Sequence, residues 1–257
     1  MCFDLDSHPP IAPMAGGSID QARLILAAGD RNRFAAFRAR AEDPTGAAVV
    51  ILPDVRGLHP YYEELALRFA ERGIDALAID WFGRTAGAEP RGDDFDHMAE
   101  VTHTTWAGIS GDIVAGVEEI GSPDGDRPAP RAVFTLGFCM GGRMSFMAAT
   151  LGLPLAGVMG MYGTVVGPWR NDTPAPLDEV GRFSAPVLGI FGGADTATSA
   201  DAVAAFDAAL TGAGVDHRVV TYPDAPHSFF DRKAAEYADA SAAAWNEVLA
   251  FIEAHTP

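Results

Sequence analysis

Lysine and cysteine are nearly missing from this chain: Lys233 is the single lysine, and Cys2 and Cys139 are the only cysteines in 257 residues. A Schiff-base enzyme needs a desolvated lysine and a phosphate-cradling loop needs G-x-x-x-x-G-K. The surroundings of Lys233 match neither, which excludes pyridoxal enzymes and P-loop NTPases. Two cysteines cannot build a disulfide framework, and a reducing compartment leaves both as thiols. Basic residues are also scarce, 18 Lys+Arg against 35 Asp+Glu, for a formal net charge of −17. Such a field repels phosphate backbones and anionic headgroups, so neither nucleic acid nor membrane is expected as a partner. No apolar run approaches the roughly 20 residues that span a bilayer. Met1-Cys2-Phe3-Asp4 carries acid where a signal peptide carries positive charge. The expected location is the cytoplasm.

What is present suits one large globular domain: 48% of residues are hydrophobic and 21% charged. A Pro/Gly-punctuated tail over 1–17 precedes a single domain over 18–257. Strands are expected at 33–40, 47–52, 75–79, 131–138, 157–162, 186–191 and 218–222. Helices are expected at 61–72, 95–120, 141–150, 200–210 and 234–254, with a loop over 83–94. This alternation implies an α/β fold, a mostly parallel twisted sheet with helices on both faces. Its ligand sites lie beyond the carboxyl ends of the strands.

Gly137-Phe138-Cys139-Met140-Gly141 stands where an apolar strand gives way to a helical pattern. In G-x-S-x-G the glycines permit a sharp strand-to-helix turn that exposes the central side chain; here a cysteine takes that place. A helix N-terminus favours the thiolate, and the N–H of Met140 is placed to bind an oxyanion. The bland reading is a small buried cysteine between glycines that only allow close packing. A nucleophile of this kind needs an acid and then a histidine after later strands. Asp195 follows the strand at 186–191, and His227 follows the one ending at Tyr222. Asp224, three residues before His227, is a poorly placed rival acid. Individually, Asp195 could be a helix cap and His227 a loop histidine.

With these residues, with Gly192-Gly193-Ala194-Asp195 and His227-Ser228-Phe229, and with Leu52-Pro53-Asp54-Val55-Arg56-Gly57 after a buried strand, the chain resembles the dienelactone hydrolase family. That family is the cysteine-nucleophile branch of the α/β-hydrolase fold. The resemblance implies Cys139 as nucleophile, His227 as base, Asp195 as its orienter, and backbone oxyanion donors at Met140 and Val55. It also implies an auxiliary acid at Asp54, where family members carry a glutamate. Asp231 occupies the place of a family arginine that holds a substrate carboxylate, with Arg232 one position later. No arginine occurs between Phe95 and Trp106. Both departures weaken the expectation that a carboxylate is bound.

Trp81, Phe82, Arg84, Tyr162 and Phe229 fall near strand ends and are candidate pocket walls; Arg143 is either a structural ion-pair partner or a ligand contact. His97 and His103, six apart, do not share a helix face as zinc ligands would, so no metal is expected. The expected activity is cofactor-free hydrolysis of a small-molecule ester or lactone by a monomer or small homo-oligomer. A thioesterase or acyltransferase with the same residues, or a non-catalytic binding homologue, are the alternatives.

Overall fold

The computed structural model describes residues 6–14, 19–92 and 94–257; Cys2 lies outside them. The chain opens with three strands, β1 (Ile19–Ala27), β2 (Arg33–Ala41) and β3 (Ala47–Leu52), followed by α1 (Pro60–Ala70) and β4 (Asp75–Ile79). Then come α2 (Gly83–Ala86), α3 (His97–Val101), α4 (Trp106–Gly121), β5 (Ala132–Phe138), α5 (Met140–Ala148) and β6 (Gly157–Met161). The remainder is α6 (Pro176–Glu179), β7 (Val187–Gly192), α7 (Ala200–Ala213), β8 (His217–Tyr222) and α8 (Ala238–Ala254).

The eight strands form one sheet in the order β1-β2-β4-β3-β5-β6-β7-β8. The β1–β2 and β2–β4 pairs are antiparallel and the others parallel. After β3 the chain moves to one side to build β4, then crosses back to build β5 on the other. A crevice therefore opens beyond the carboxyl ends of β3 and β5, the switch point where ligands of such sheets bind. Leu52 pairs with Gly137 at the ends of these two strands, which brings the Asp54 loop and the Cys139 turn side by side.

Every residue of β3, β4 and β5 is buried, as strands covered on both faces must be. Alternation divides them between two clusters. Val50, Leu52, Leu77 and Ile79 pack with Ile109 and Ile113 of α4, Phe146 of α5 and Phe206 of α7. Val49, Ile51, Ala76 and Ala78 pack with Tyr62, Leu65 and Phe69 of α1 and with Trp245 and Val248 of α8. Thr105 and Ser199 cap α4 and α7 by accepting from Gly108 N and Ala202 N, and Gly214 ends α7 in the left-handed region at φ 69°.

Three expectations are corrected. β1 lies within a stretch assigned no element, because it is an edge strand with little apolar signal: Ala22, Leu24 and Leu26 are half-buried while Gln21, Arg23, Ile25 and Ala27 are exposed. The single helix expected over 95–120 is two helices. The hydroxyls of Thr102 and Thr104 donate to Ala99 O and Val101 O and close α3, and Thr105 then caps a new helix. His103 thus lies beyond the helix that holds His97. The loop expected over 83–94 includes the single turn α2. Part of the proline-rich segment before β1 packs against α1: His8 Nδ1 is 2.7 Å from Glu64, Ile11 is buried, and Met14 N donates to Glu71 at 3.1 Å. Among the described residues no helix is long and apolar enough to cross a membrane.

Phe146 is fully buried with its ring centroid 6.2 Å from Phe191 and 5.1 Å from Phe206, and a Cβ on Gly160 would overlap it. Phe146→Ala should cost about 3–5 kcal/mol of stability, read as a lower urea midpoint with an unchanged slope.

Candidate active site

The turn from β5 into α5 is made by a residue in a conformation that L-amino acids avoid. Cys139 has φ 54° and ψ −112°. Two close approaches enforce it: a Cβ on Gly137 would overlap the Gly141 carbonyl, and one on Gly141 would overlap the Leu52 carbonyl at the end of β3. Cys139 N donates to Met161 O at 3.0 Å, which ties the turn to β6. The side chain is left at the amino end of α5, and the residue is 8% exposed. The N–H groups of the first turn, beginning with Met140, have no acceptor within the helix and carry its positive pole.

Asp195 and His227 come from the loops after β7 and β8. Gly193 N donates to Tyr222 O at 2.7 Å and Ala194 N to Ala225 O at 3.1 Å, so the two loops are joined through their backbones. Asp195 Oδ1 accepts from Ala197 N at 2.7 Å, and its Oδ2 lies 2.8 Å from His227 Nδ1. The Asp195 side chain is 1% exposed and the His227 side chain 16%. A carboxylate can only accept, so Nδ1 of the neutral imidazole carries the proton and Nε2 has a free lone pair. Asp224 is exposed on the same loop as His227.

Tyr162, at φ 41° after β6, packs its ring 5.0 Å from that of His227 and 6.2 Å from that of Phe138. Burial, then the fields of Tyr61, Asp231, Asp54 and Cys139, push its phenol well above the ordinary tyrosine value. Phe229 is fully buried, 5.7 Å from Tyr162 and 5.5 Å from Tyr222.

The loop after β3 carries Asp54, Val55 and Arg56. The Asp54 carboxylate accepts four hydrogen bonds, all from Arg56: backbone N at 2.8 Å, Nε at 3.0 and 3.1 Å, and Nη2 at 2.7 Å. Being short, this side chain turns back on its own loop, and no hydrogen bond joins it to Cys139 among the described residues. Arg56 Nη2 also bonds Asp231, which closes a turn with its N–H on Ser228 O at 3.1 Å. Burial would raise the Asp54 pKa, but the Arg56 charge and hydrogen bonds outweigh it and hold the carboxyl below its usual range. Burial wins at Asp231, whose carboxyl is raised despite Arg56. Asp54 N donates to Tyr62 Oη at 3.0 Å, and Leu58 N donates to Asp80 Oδ1 at 2.9 Å.

The candidate wall residues are thus placed unequally. Tyr162 and Phe229 adjoin His227. Trp81 is buried, its indole N–H spent on Pro53 O and Asp54 O at 3.2 and 3.1 Å, so it supports the Val55 loop from behind. Phe82 is buried with its ring 5.4 Å from that of Phe95. Arg84 pairs with Asp30 and Asp112, linking the β1–β2 turn to α4. Arg143 is fully buried and bonds Thr164 Oγ1 and the carbonyls of Val166, Gly167, Thr173 and Pro174, organising the loop after β6. Burial lowers its pKa to about 10. The roles of Asp80 and Tyr62 carry no signal in the sequence, and Arg56 stands there only within the segment 52–57, with no role of its own. The available signal was Asp54-x-Arg56 on a loop after a buried strand, and a lone acid, Asp231, after two phenylalanines.

The family model described as "Dienelactone hydrolase family" matches residues 34–256. A Salmonella typhimurium protein named "Putative carboxymethylenebutenolidase" is 29% identical over 228 residues, covering 82% of this chain and 78% of its own. A Yersinia pestis protein of the same name is 26% identical over 229 residues, covering 86% and 83%. Among solved structures, a "Putative Dienelactone Hydrolase" of Klebsiella pneumoniae superposes with a TM-score of 0.79 at 24% identity, over 92% of this chain and 99% of that one. A dienelactone hydrolase-like promiscuous phosphotriesterase from metagenomic libraries gives 0.75 at 21% identity, over 94% and 100%.

Removing Arg56 strands two buried acids. Arg56→Met should cost about 3–5 kcal/mol at pH 7 by urea denaturation. In the variant the unpaired carboxyls have raised folded pKa values, so stability returns as pH falls and they bind protons. Wild-type Asp54, with its depressed folded value, stays ionised at pH 5. The deficit should therefore shrink between pH 7 and pH 5.

Proposed function

The chain belongs to the dienelactone hydrolase family, and from that premise we propose that it hydrolyses small carboxylic esters or lactones by acyl transfer through Cys139. The observation that carries this reading is the strained backbone of Cys139, at φ 54° where β5 turns into α5 beside the switch-point crevice. Such strain in a residue other than glycine persists where the surrounding fold over-determines it, and nucleophiles are found there. The pair of buried Asp195 and half-buried His227, 2.8 Å apart on the adjoining loops, supplies the base that such a nucleophile needs.

In this mechanism His227 Nε2 takes the thiol proton as Cys139 Sγ attacks the carbonyl carbon. The carbonyl π electrons move to oxygen, and the N–H groups of Met140 and Val55 stabilise that charge. Collapse of the tetrahedral intermediate breaks the ester C–O bond; the departing oxygen takes the proton from the imidazolium, leaving a thioester. His227 then deprotonates water, the hydroxide adds to the thioester, and the thiolate leaves with release of the acid, taking back the proton from the imidazolium to restore the thiol and the neutral imidazole. Asp195 keeps the proton on Nδ1 and stabilises the imidazolium. Asp54 and Trp81 hold the Val55 loop, Asp54 through Arg56 and Trp81 through its indole N–H. The bacterial relatives' name, carboxymethylenebutenolidase, makes butenolide lactones with and without the carboxymethylene carboxylate substrates to assay side by side.

With p-nitrophenyl acetate, wild type should turn over, while Cys139→Ala and His227→Ala each lower kcat/KM by about 10³ or more. Asp195→Asn should cost less than either if it only orients and stabilises the imidazole. Release of p-nitrophenol by Cys139→Ala at the wild-type rate would remove the proposal.

A further inference from the structure

The loops that would embrace a substrate carbonyl are tied together by a cluster whose charges do not cancel. Asp54 and Arg56 flank Val55, and Asp231 closes the Ser228–Asp231 turn that directly follows His227. One guanidinium therefore serves two buried carboxylates, whose side chains are 6% and 3% exposed. The cluster sits close to the Cys139 turn: Phe230, next to Asp231, stacks its ring 6.0 Å from that of Phe138, next to Cys139.

Two buried acceptors near this joint have no hydrogen-bond partner among the described residues, Asp231 Oδ1 and His59 Nε2. His59 Nδ1 lies 2.9 Å from Gly57 O, a group that can only accept, so Nδ1 holds the proton and Nε2 presents a lone pair. Burial and the nearby Arg56 lower the His59 pKa to about 4, so the ring is neutral at working pH. The joint thus offers surplus negative charge and unfilled acceptors, and its one guanidinium is already shared by both acids. A third carboxylate, brought here by a substrate, would meet repulsion in a medium that screens poorly.

We infer that this site rejects substrates whose acyl chain carries a carboxylate and accepts neutral or cationic ones, and that Asp231 sets this preference. The inference rests on the hydrolase reading above and adds the charge class of the substrate to it.

The test uses three p-nitrophenyl esters of matched acyl length, ending in a carboxylate, a hydroxyl or a trimethylammonium group. They are assayed at pH 8 and normalised to their rates of hydrolysis by hydroxide. Wild-type kcat/KM should be roughly tenfold or more lower for the carboxylate ester than for the hydroxyl ester, with the cationic ester at least as good as the neutral one. Asp231→Asn should narrow the gap at least about threefold and Asp231→Glu should keep it. Asp224→Asn, which removes an exposed charge from the loop of His227, should leave it in place. Equal use of the carboxylate and hydroxyl esters by wild type overturns the inference without any variant, whether or not Asp231→Asn folds. A gap that Asp231→Asn leaves intact, or that Asp224→Asn narrows equally, assigns it to the net charge of the protein and overturns the role of Asp231. Hydrolysis of none of the three esters instead removes the hydrolase reading, and this inference with it.

Discussion

Cys139 holds a backbone conformation that costs an L-residue about 1–3 kcal/mol, and the site is arranged around that constraint. A cysteine in a flexible loop would relax out of it. Here the carbonyls of Leu52 and Gly141 lie where side chains on Gly141 and Gly137 would have to be, and Met161 O accepts from Cys139 N. The turn is wedged between β3 and β6, in the middle of a sheet buried on both faces. Two large apolar clusters supply the energy that holds it. The consequence is local: one side chain stands at the amino end of a helix, over the crevice that the strand order opens.

The other loops are held to this turn by polar contacts. Backbone hydrogen bonds join the Asp195 and His227 loops, and Arg56 joins the Val55 loop to the turn after His227. Buried ion clusters of this kind add little net stability, since desolvation offsets most of the attraction, yet losing one partner is expensive. Their value here is geometric. Both loops are irregular backbone and would otherwise vary in position, and Arg56 fixes their spacing with a planar, multidentate group. Trp81 and Asp80, at the end of β4, perform the same service from behind.

Much of this could be read in the sequence because its signals are local. The apolar runs of β3, β5 and β7, the glycines around Cys139, and the placement of Asp195 and His227 after later strands all follow from short-range pattern. The features that escaped depend on contacts across the chain. β1 is a half-exposed edge strand whose identity comes from pairing with β2. The break between α3 and α4 depends on three threonines that could as well lie within a helix. Arg56 and Asp231 are 175 positions apart, and nothing in either segment announces the other. Trp81 and Arg84 show the opposite problem. Their positions at a strand end suit a pocket wall, but the structure spends one on loop carbonyls and the other on Asp30 and Asp112.

The central claim is that an acyl group passes through the sulfur of Cys139. Mixing the protein with excess p-nitrophenyl ester, quenching in acid within the first turnovers and mapping the digest by mass spectrometry addresses it directly. The account predicts one acyl mass on the peptide that contains Cys139, removed by neutral hydroxylamine as a thioester is. A burst of p-nitrophenol with that peptide unmodified, or with the acyl group on another residue, would contradict it.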